Sequence, residues 1–269
     1  GGGTPTSLNA RQIGEIMTAV KSNFNLSCLR EYTVEAGRPD TVTREKLETV
    51  KRLGATRISI NPQTMNDDVL RSIGRRHTAE ETEKAFLLAR ECGFDNINTD
   101  LIAGLHGDTF EGFKETVNRV LALNPESVTV HSLSMKRSSA LNVNGLFPEA
   151  RMGAEAAKMV NFARETLTKK GIFPYYMYRQ SKTVGNLENV GYAKRGKECL
   201  YNVYTMDETH TVLACGASAV TKLREPDGPY IERIFNYKYP YEYISRFQEL
   251  AARKDGILRF YEKYPANNK

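Results

Sequence analysis

The sequence predicts an α/β fold: a partial (β/α) barrel of TIM-like type, followed by a smaller C-terminal α+β domain. Three observations predict it. Between Cys28 and Leu133, strand-like apolar runs alternate four times with segments of helical period. The joints between them are short and are punctuated by Gly, Pro, Asn or Asp. Past residue 135 the rhythm changes to short runs rich in Tyr, Val and Thr. Strand–helix alternation implies βαβ units and a parallel sheet, with ligands bound at the C-terminal ends of the strands. The division is expected near residue 135, with 1–135 as the partial barrel and 136–269 as the second domain.

The opening "GGGTPTSL" contains no initiator Met and runs straight into a helix expected over Leu8 to Asn23, on the spacing of Ile13, Ile16, Met17 and Val20. Thr6 or Ser7 is the expected cap. A Gly-rich turn feeding a helix N-terminus offers unshielded backbone N–H groups to a polar ligand, provided that a strand delivers the chain to it. No strand precedes Gly1 in this sequence. The expectation is therefore a remainder of a longer protein, cut at a functional loop; a purification remnant would supply glycines but not the helix start.

Strands are then expected at 28–36, 56–60, 96–102 and 127–133, with helices at 43–53, 66–73, 79–92 and 109–123. Thr43 caps the first of these helices and Gly54 ends it, while Thr78 with Glu81 forms a capping box and Gly93 stops that helix. A long polar connection, 134–150, leads to an amphipathic helix at 153–170. The runs "FPYYMYR", "YNVYTM", "HTVLACG", "ASAVTKL" and "YIERIF" suggest an antiparallel mini-sheet, closed by a helix at 240–253.

The 269 residues are 40% hydrophobic and 26% charged, with a net charge of +6. No apolar run reaches the roughly 18 residues of a membrane span, and no nucleic-acid motif or arginine-rich run is present. The expected setting is cytoplasmic, without membrane or nucleic-acid partners. The mildly basic balance suits a small polyanionic substrate. Cys28, Cys92, Cys199 and Cys215 form no CxxC or CxxxC pair, so no metal site is read from them, and buried thiols in a reducing compartment are expected.

The strand ends deliver Glu35, then Gln63 just past "ISINP", then Asp100 within "INTDLIAGL". Any single polar residue there reads as a cap or loop hydrogen bond; the succession is harder to dismiss. Asp100 stands between apolar neighbours and needs partners if buried. Arg75 and Arg76 follow Gly74 between two helices, and a guanidinium grips a carboxylate bidentately; Arg76 reads as surface charge.

Together "GGGTPTSL", "EYTVEAGRPDTVTREKLETVKRLGATRISINPQTMNDDVLRSIGRRHT" and "FDNINTDLIAGLHGDT" resemble the barrel of the radical S-adenosylmethionine (SAM) enzymes. Within that superfamily they are similar to the oxygen-independent coproporphyrinogen III oxidase group. The stretch "PYYMYRQ…GNLENVGYAKRGKECLYNVYTM" with "GASAVTKL" looks like its coproporphyrinogen dehydrogenase branch. The resemblance implies that Gly2, Gly3 and Thr4 line the methionine and adenosine parts of SAM. It implies Glu35 on the amino group, Arg75 on the carboxylate, and Gln63 and Asp100 on the ribose hydroxyls. It also implies a [4Fe-4S] cluster whose Cys-x3-Cys-x2-Cys ligands lie upstream of Gly1, so this chain alone is expected to be inactive.

The implied reaction is oxidative decarboxylation of coproporphyrinogen III to protoporphyrinogen IX in haem biosynthesis, with a tetrapyrrole substrate and an electron donor protein. Lys136, Arg137, Arg179 and Arg195 are candidate cations for the substrate's carboxylates at the barrel mouth. The sequence departs from the family at "GLHGDT", where His106 and Asp108 replace the usual Pro and Gln. Two rivals share the fold: a haem-binding trafficking protein and a radical SAM methyltransferase. The first calls for a haem-ligating His, and "NVGYAK" has none, while His210 stands alone in "DETHTV".

Overall fold

The structure, a computed structural model, describes residues 4–134 and 149–266. The chain forms two compact units, Thr4–Leu200 and the segment from Tyr201 onward. In the first, β1 (Thr33–Gly37), β2 (Arg57–Ile60), β3 (Ile97–Ala103) and β4 (Ser127–Ser132) pair as consecutive parallel strands. Then β5 (Phe173–Tyr178) and β6 (Asn189–Ala193) extend the same sheet in antiparallel pairings, giving the order β1-β2-β3-β4-β6-β5. Residue 135, where the sequence changes rhythm, thus falls inside this unit.

Period-two alternation sorts the strand residues onto two faces. Val34, Ala36, Ile58, Ile60 and Ile97 point outward into a core built with α1 (Ala10–Asn23), α2 (Arg44–Arg52) and α4 (Ala79–Glu91). Leu101, Ala103, Val128, Val130 and Tyr192 meet α5 (Phe110–Ala122) and α6 (Glu149–Lys169) in a second core. Phe86 and Phe113 are fully buried in these layers, each contributing roughly 1.5–3 kcal/mol of transfer free energy. The short α3 (Asp67–Ser72) is capped by Asn66. The opposite face of the sheet is left to polar residues.

Local details correct several expectations. The cap of α1 is Asn9, in a capping box with Gln12. Thr6 is unavailable because it is buried with its hydroxyl donated to the Ala36 carbonyl, 2.6 Å away. The first strand begins at Thr33 rather than at residue 28, and Cys28 is exposed, not buried. "YNVYTM" lies in a helix, α7 (Leu200–Asp207), despite its β-forming composition. Glu31 accepts the N–H of Leu200 at 2.7 Å, which satisfies one of the open donors at that helix start.

The unit from Tyr201 carries an antiparallel hairpin, β7 (Val220–Arg224) with β8 (Ile231–Phe235), around buried Leu223, Leu250 and Phe260. "HTVLACG" contributes only an isolated bridge, Val212 to Lys222. The closing helix is broken into α8 (Pro240–Ser245) and α9 (Phe247–Lys254), because Arg246 leaves helical geometry, and a further helix, α10 (Gly256–Lys263), follows. Among the described residues, no helix is long and apolar enough to cross a membrane.

Candidate functional site

The inner face of the sheet is a polar network with a definite direction. Glu35, Ser59, Asn98 and Ser127 stand in one row across β1 to β4. Arg57, with its side chain only 2% exposed, donates to Ser127 Oγ at 3.2 Å and lies 3.8 Å from Glu35 Oε1. Ser127 donates to Asn98 Oδ1 at 3.0 Å; Asn98 Nδ2 donates to Asp100 Oδ1 at 2.8 Å and to Ser59 Oγ at 2.9 Å. Ser59 Oγ donates to Asn61 Oδ1 at 2.7 Å. Such a chain of partners is what buried polar groups require.

The next row holds Asp100, Thr129, Gly191 and Tyr176. Burial alone would raise the pKa of Asp100. The interaction with His131, together with the hydrogen bond from Asn98 and the nearby Thr129, outweighs it and holds Asp100 below the usual carboxylate value. The carboxyl of Glu35 titrates above its ordinary value. The surrounding protein, which limits its hydration even though solvent touches it, is the main cause; the charge of Asp100 adds to this and Arg57 opposes it. Two carboxylates thus stand on one face of the sheet.

Thr4 packs on the end of β1: a Cβ on Gly37 would come 3.3 Å from its methyl and 3.4 Å from its hydroxyl. Gly37 itself has φ +65° and follows a register shift in β1, a bulge that re-aims the strand end. Gln63 is buried and non-glycine at φ +71°. Its N–H donates to the Asp100 carbonyl at 3.0 Å and its carbonyl accepts from Ile102 at 2.9 Å. Its side-chain amide has no hydrogen-bond partner among the described residues.

Arg75 is half-buried and likewise makes no ion pair among the described residues. Burial pulls its pKa down, the charge of Arg38 adds to this, and Asp40 opposes it. Beside it, buried His77 donates Nε2–H to the Pro62 carbonyl at 3.2 Å, and its Nδ1 has no partner among the described residues. Arg76 is exposed.

The strand ends therefore gather Thr4, Glu35, Gln63 and Asp100, while Arg75 stands with Arg38, Asp40 and His77 next to the Pro62–Gln63 turn. Gly2, Gly3, Lys136 and Arg137 lie outside the described residues. Arg179 is engaged in an ion pair with Glu188. Arg195 sits over the Phe173 ring, 5.8 Å from its centroid. Phe173 pairs with Ala193, which pairs with Ser127 at the start of β4, so Arg195 belongs to the end of the barrel opposite the expected mouth. The sequence reading missed Arg57, Asn98, Tyr176, Tyr178 and above all His131. The signal for His131 was present: in "SVTVHSL" it occupies the same alternating face as Thr129.

The profile of the radical SAM superfamily matches residues 1–120. The oxygen-independent coproporphyrinogen-III oxidase-like protein HemZ of Bacillus subtilis is 40% identical over 265 residues, covering 98% of this chain. The chain belongs to the radical SAM superfamily, in its HemN/HemZ-like group. The heme chaperone HemW of Bacillus subtilis is 31% identical, covering 98% of this chain and 72% of HemW. Coproporphyrinogen III oxidase (HemN) from Escherichia coli shares the fold, with a TM-score of 0.71 at 23% identity over 92% of this chain. The chain spans 53% of the HemZ relative and 55% of the HemN chain.

Radical SAM proteins use SAM and a [4Fe-4S] cluster. The residues here fit the first: an unpartnered amide, a guanidinium without an ion pair, an orphaned imidazole nitrogen and two carboxylates suit a ligand carrying an ammonium, a carboxylate and a diol. They do not fit the second. Cys28 and Cys215 are exposed, Cys92 ends α4 and Cys199 precedes α7, and no cluster of metal-ligating side chains occurs among the described residues.

Proposed function

We propose that this chain binds SAM on the inner face of its sheet and serves the oxygen-independent oxidative decarboxylation of coproporphyrinogen III to protoporphyrinogen IX. The observation that carries this reading is the 40% identity to a coproporphyrinogen-III oxidase-like protein over nearly the whole chain. Bound SAM, given one electron from an iron–sulfur cluster, would supply a carbon radical able to take a hydrogen atom from an unactivated C–H bond. The protein's part is to bind, orient and exclude competing reactions.

Glu35 would accept from the ammonium and Arg75 would clamp the carboxylate, with Gln63 and Asp100 on the ribose hydroxyls. Thr4, with Gly2 and Gly3, would line the adenosyl and methionine parts. Arg57, behind Glu35, would keep that carboxyl charged against the repulsion of Asp100. The substrate is a polyanionic tetrapyrrole with the propionate side chains that are decarboxylated, and a separate protein delivers electrons. The setting is cytoplasmic.

One observation favours a second reading, a haem chaperone: HemW aligns over 72% of its length. Its natural haem ligand here would be His210, which stacks on Tyr204 with ring centroids 3.8 Å apart. Anaerobic incubation of the full protein with coproporphyrinogen III and SAM separates the two. Protoporphyrinogen IX formation supports the oxidase. Tight haem binding that His210→Ala abolishes, without turnover, overturns it in favour of the chaperone.

A further inference from the structure

Asp100 is the most enclosed carboxylate on the inner face, and its partners come from its own strand and from β4. Asn98 on its own strand donates to Oδ1 at 2.8 Å. His131 on β4 brings Nε2 to 3.7 Å from Oδ2. The other imidazole nitrogen, Nδ1, lies 3.4 Å from the hydroxyl of Tyr178 on β5. Tyr178 stacks on Tyr176, with centroids 6.2 Å apart and planes 7° from parallel. Nothing in the assignment of SAM groups uses His131 or Tyr178.

We propose that His131, oriented by Tyr178, is a positioning residue that holds Asp100 as an ionised acceptor for ligand hydroxyls. This rests on the reading of the inner face as a SAM site. A neutral imidazole has one donor and one acceptor nitrogen, and the hydrogen bond at one nitrogen sets the role of the other. A phenol hydroxyl donating to Nδ1 makes Nε2 the protonated nitrogen. That nitrogen then faces a carboxylate oxygen with a donor instead of a lone pair.

The reverse tautomer would set two lone pairs against each other across the gap. Burial disfavours ionisation of Tyr178, so its hydroxyl remains a donor. With Asn98 on one oxygen and His131 on the other, Asp100 is fixed in rotation and still has lone pairs to accept from a diol. The geometry is that of a relay across three strands, Tyr178 to His131 to Asp100.

The test is a comparison of two ligands by calorimetry on the full chain. One is S-adenosylhomocysteine; the other is its analogue lacking both ribose hydroxyls. His131→Ala is expected to weaken binding of the first by about two- to fivefold, the loss of one close imidazole–carboxylate contact, and to leave binding of the analogue unchanged. His131→Asn, which keeps a side-chain donor, recovers part of the loss.

In the folded protein, a long-range proton–nitrogen spectrum should show His131 protonated on Nε2 in the wild type and a mixture of tautomers in Tyr178→Phe. Equal losses for both ligands, or none, while Asp100→Asn still weakens only the hydroxyl-bearing ligand, would overturn the relay and leave the SAM reading standing. Wild-type protein that does not distinguish the two ligands would overturn both. An Nδ1-protonated His131 would overturn the relay whatever the affinities.

Discussion

Gly191 carries no side chain at the point where the ring of Tyr176 crosses β6: a Cβ there would overlap the ring atoms Cε1 and Cδ1. The bare strand lets a tyrosine on β5 lie across β6 toward Thr129 on β4, the residue that pairs with Gly191 from the other side. Gly191→Ala is expected to expel the ring or separate the strands, at a cost of about 1–3 kcal/mol typical of overpacking. Denaturant unfolding measures it. In a Tyr176→Ala background the same substitution should cost much less, since the two residues are in contact; an equal cost in both backgrounds would remove the ring from this position.

Among the described residues Asp108 has one side-chain hydrogen bond, from the Thr109 N–H at 2.9 Å, and its buried Oδ2 has no partner. Burial pushes its pKa up to about 6, from 3.8. The folded state therefore holds a proton that the unfolded state releases, and stability falls as pH rises through that window. Solvent reaches part of the side chain and screens the effect. Asp108→Asn should thus be more stable than wild type by about 1 kcal/mol at pH near 8, with the gap closing below pH 4. Thermal unfolding across pH checks the sign: a gap that grows on acidification would contradict it.

Gln63 holds a left-handed backbone, φ +71°, between two hydrogen bonds to β3. Residues kept in such conformations cost stability and cluster at binding sites. Gln63→Gly is expected to stabilise the fold by about 0.5–1 kcal/mol and at the same time to weaken SAM binding. A variant less stable than wild type would show that the amide is a structural contact instead.

Much of this was legible in the sequence because it depends on local spacing. The parallel strands, the caps at Thr43 and Thr78 and the strand-end polar residues all follow from period and punctuation. What was not legible depends on distant partners. Thr6 was a reasonable cap until β1 claimed its hydroxyl. "YNVYTM" reads as a strand on composition, and Glu31, far away in the chain, meets its helix start. His131 sits visibly in an apolar strand, but its role needs Tyr178, which lies 47 positions further along the chain and meets it only once β5 has joined the sheet.

The spacing of the cysteines leads to a further expectation. Cys28, Cys92, Cys199 and Cys215 are carried by unrelated elements, so anaerobic reconstitution of the 269-residue chain with iron and sulfide should give no iron–sulfur absorption band. Such a band would contradict the view that these thiols are not cluster ligands.

The central claim is that the inner face and its rim bind SAM, and Arg75 tests it most directly. Its half-buried guanidinium has no ion pair among the described residues, while its neighbour Arg76 is exposed. A hydrogen bond to a charged group is worth roughly 1.5–3 kcal/mol. SAM titration by calorimetry should therefore show affinity falling between about tenfold and somewhat more than a hundredfold in Arg75→Ala, with Arg76→Ala close to wild type. Equal affinity in wild type and both variants would contradict the account.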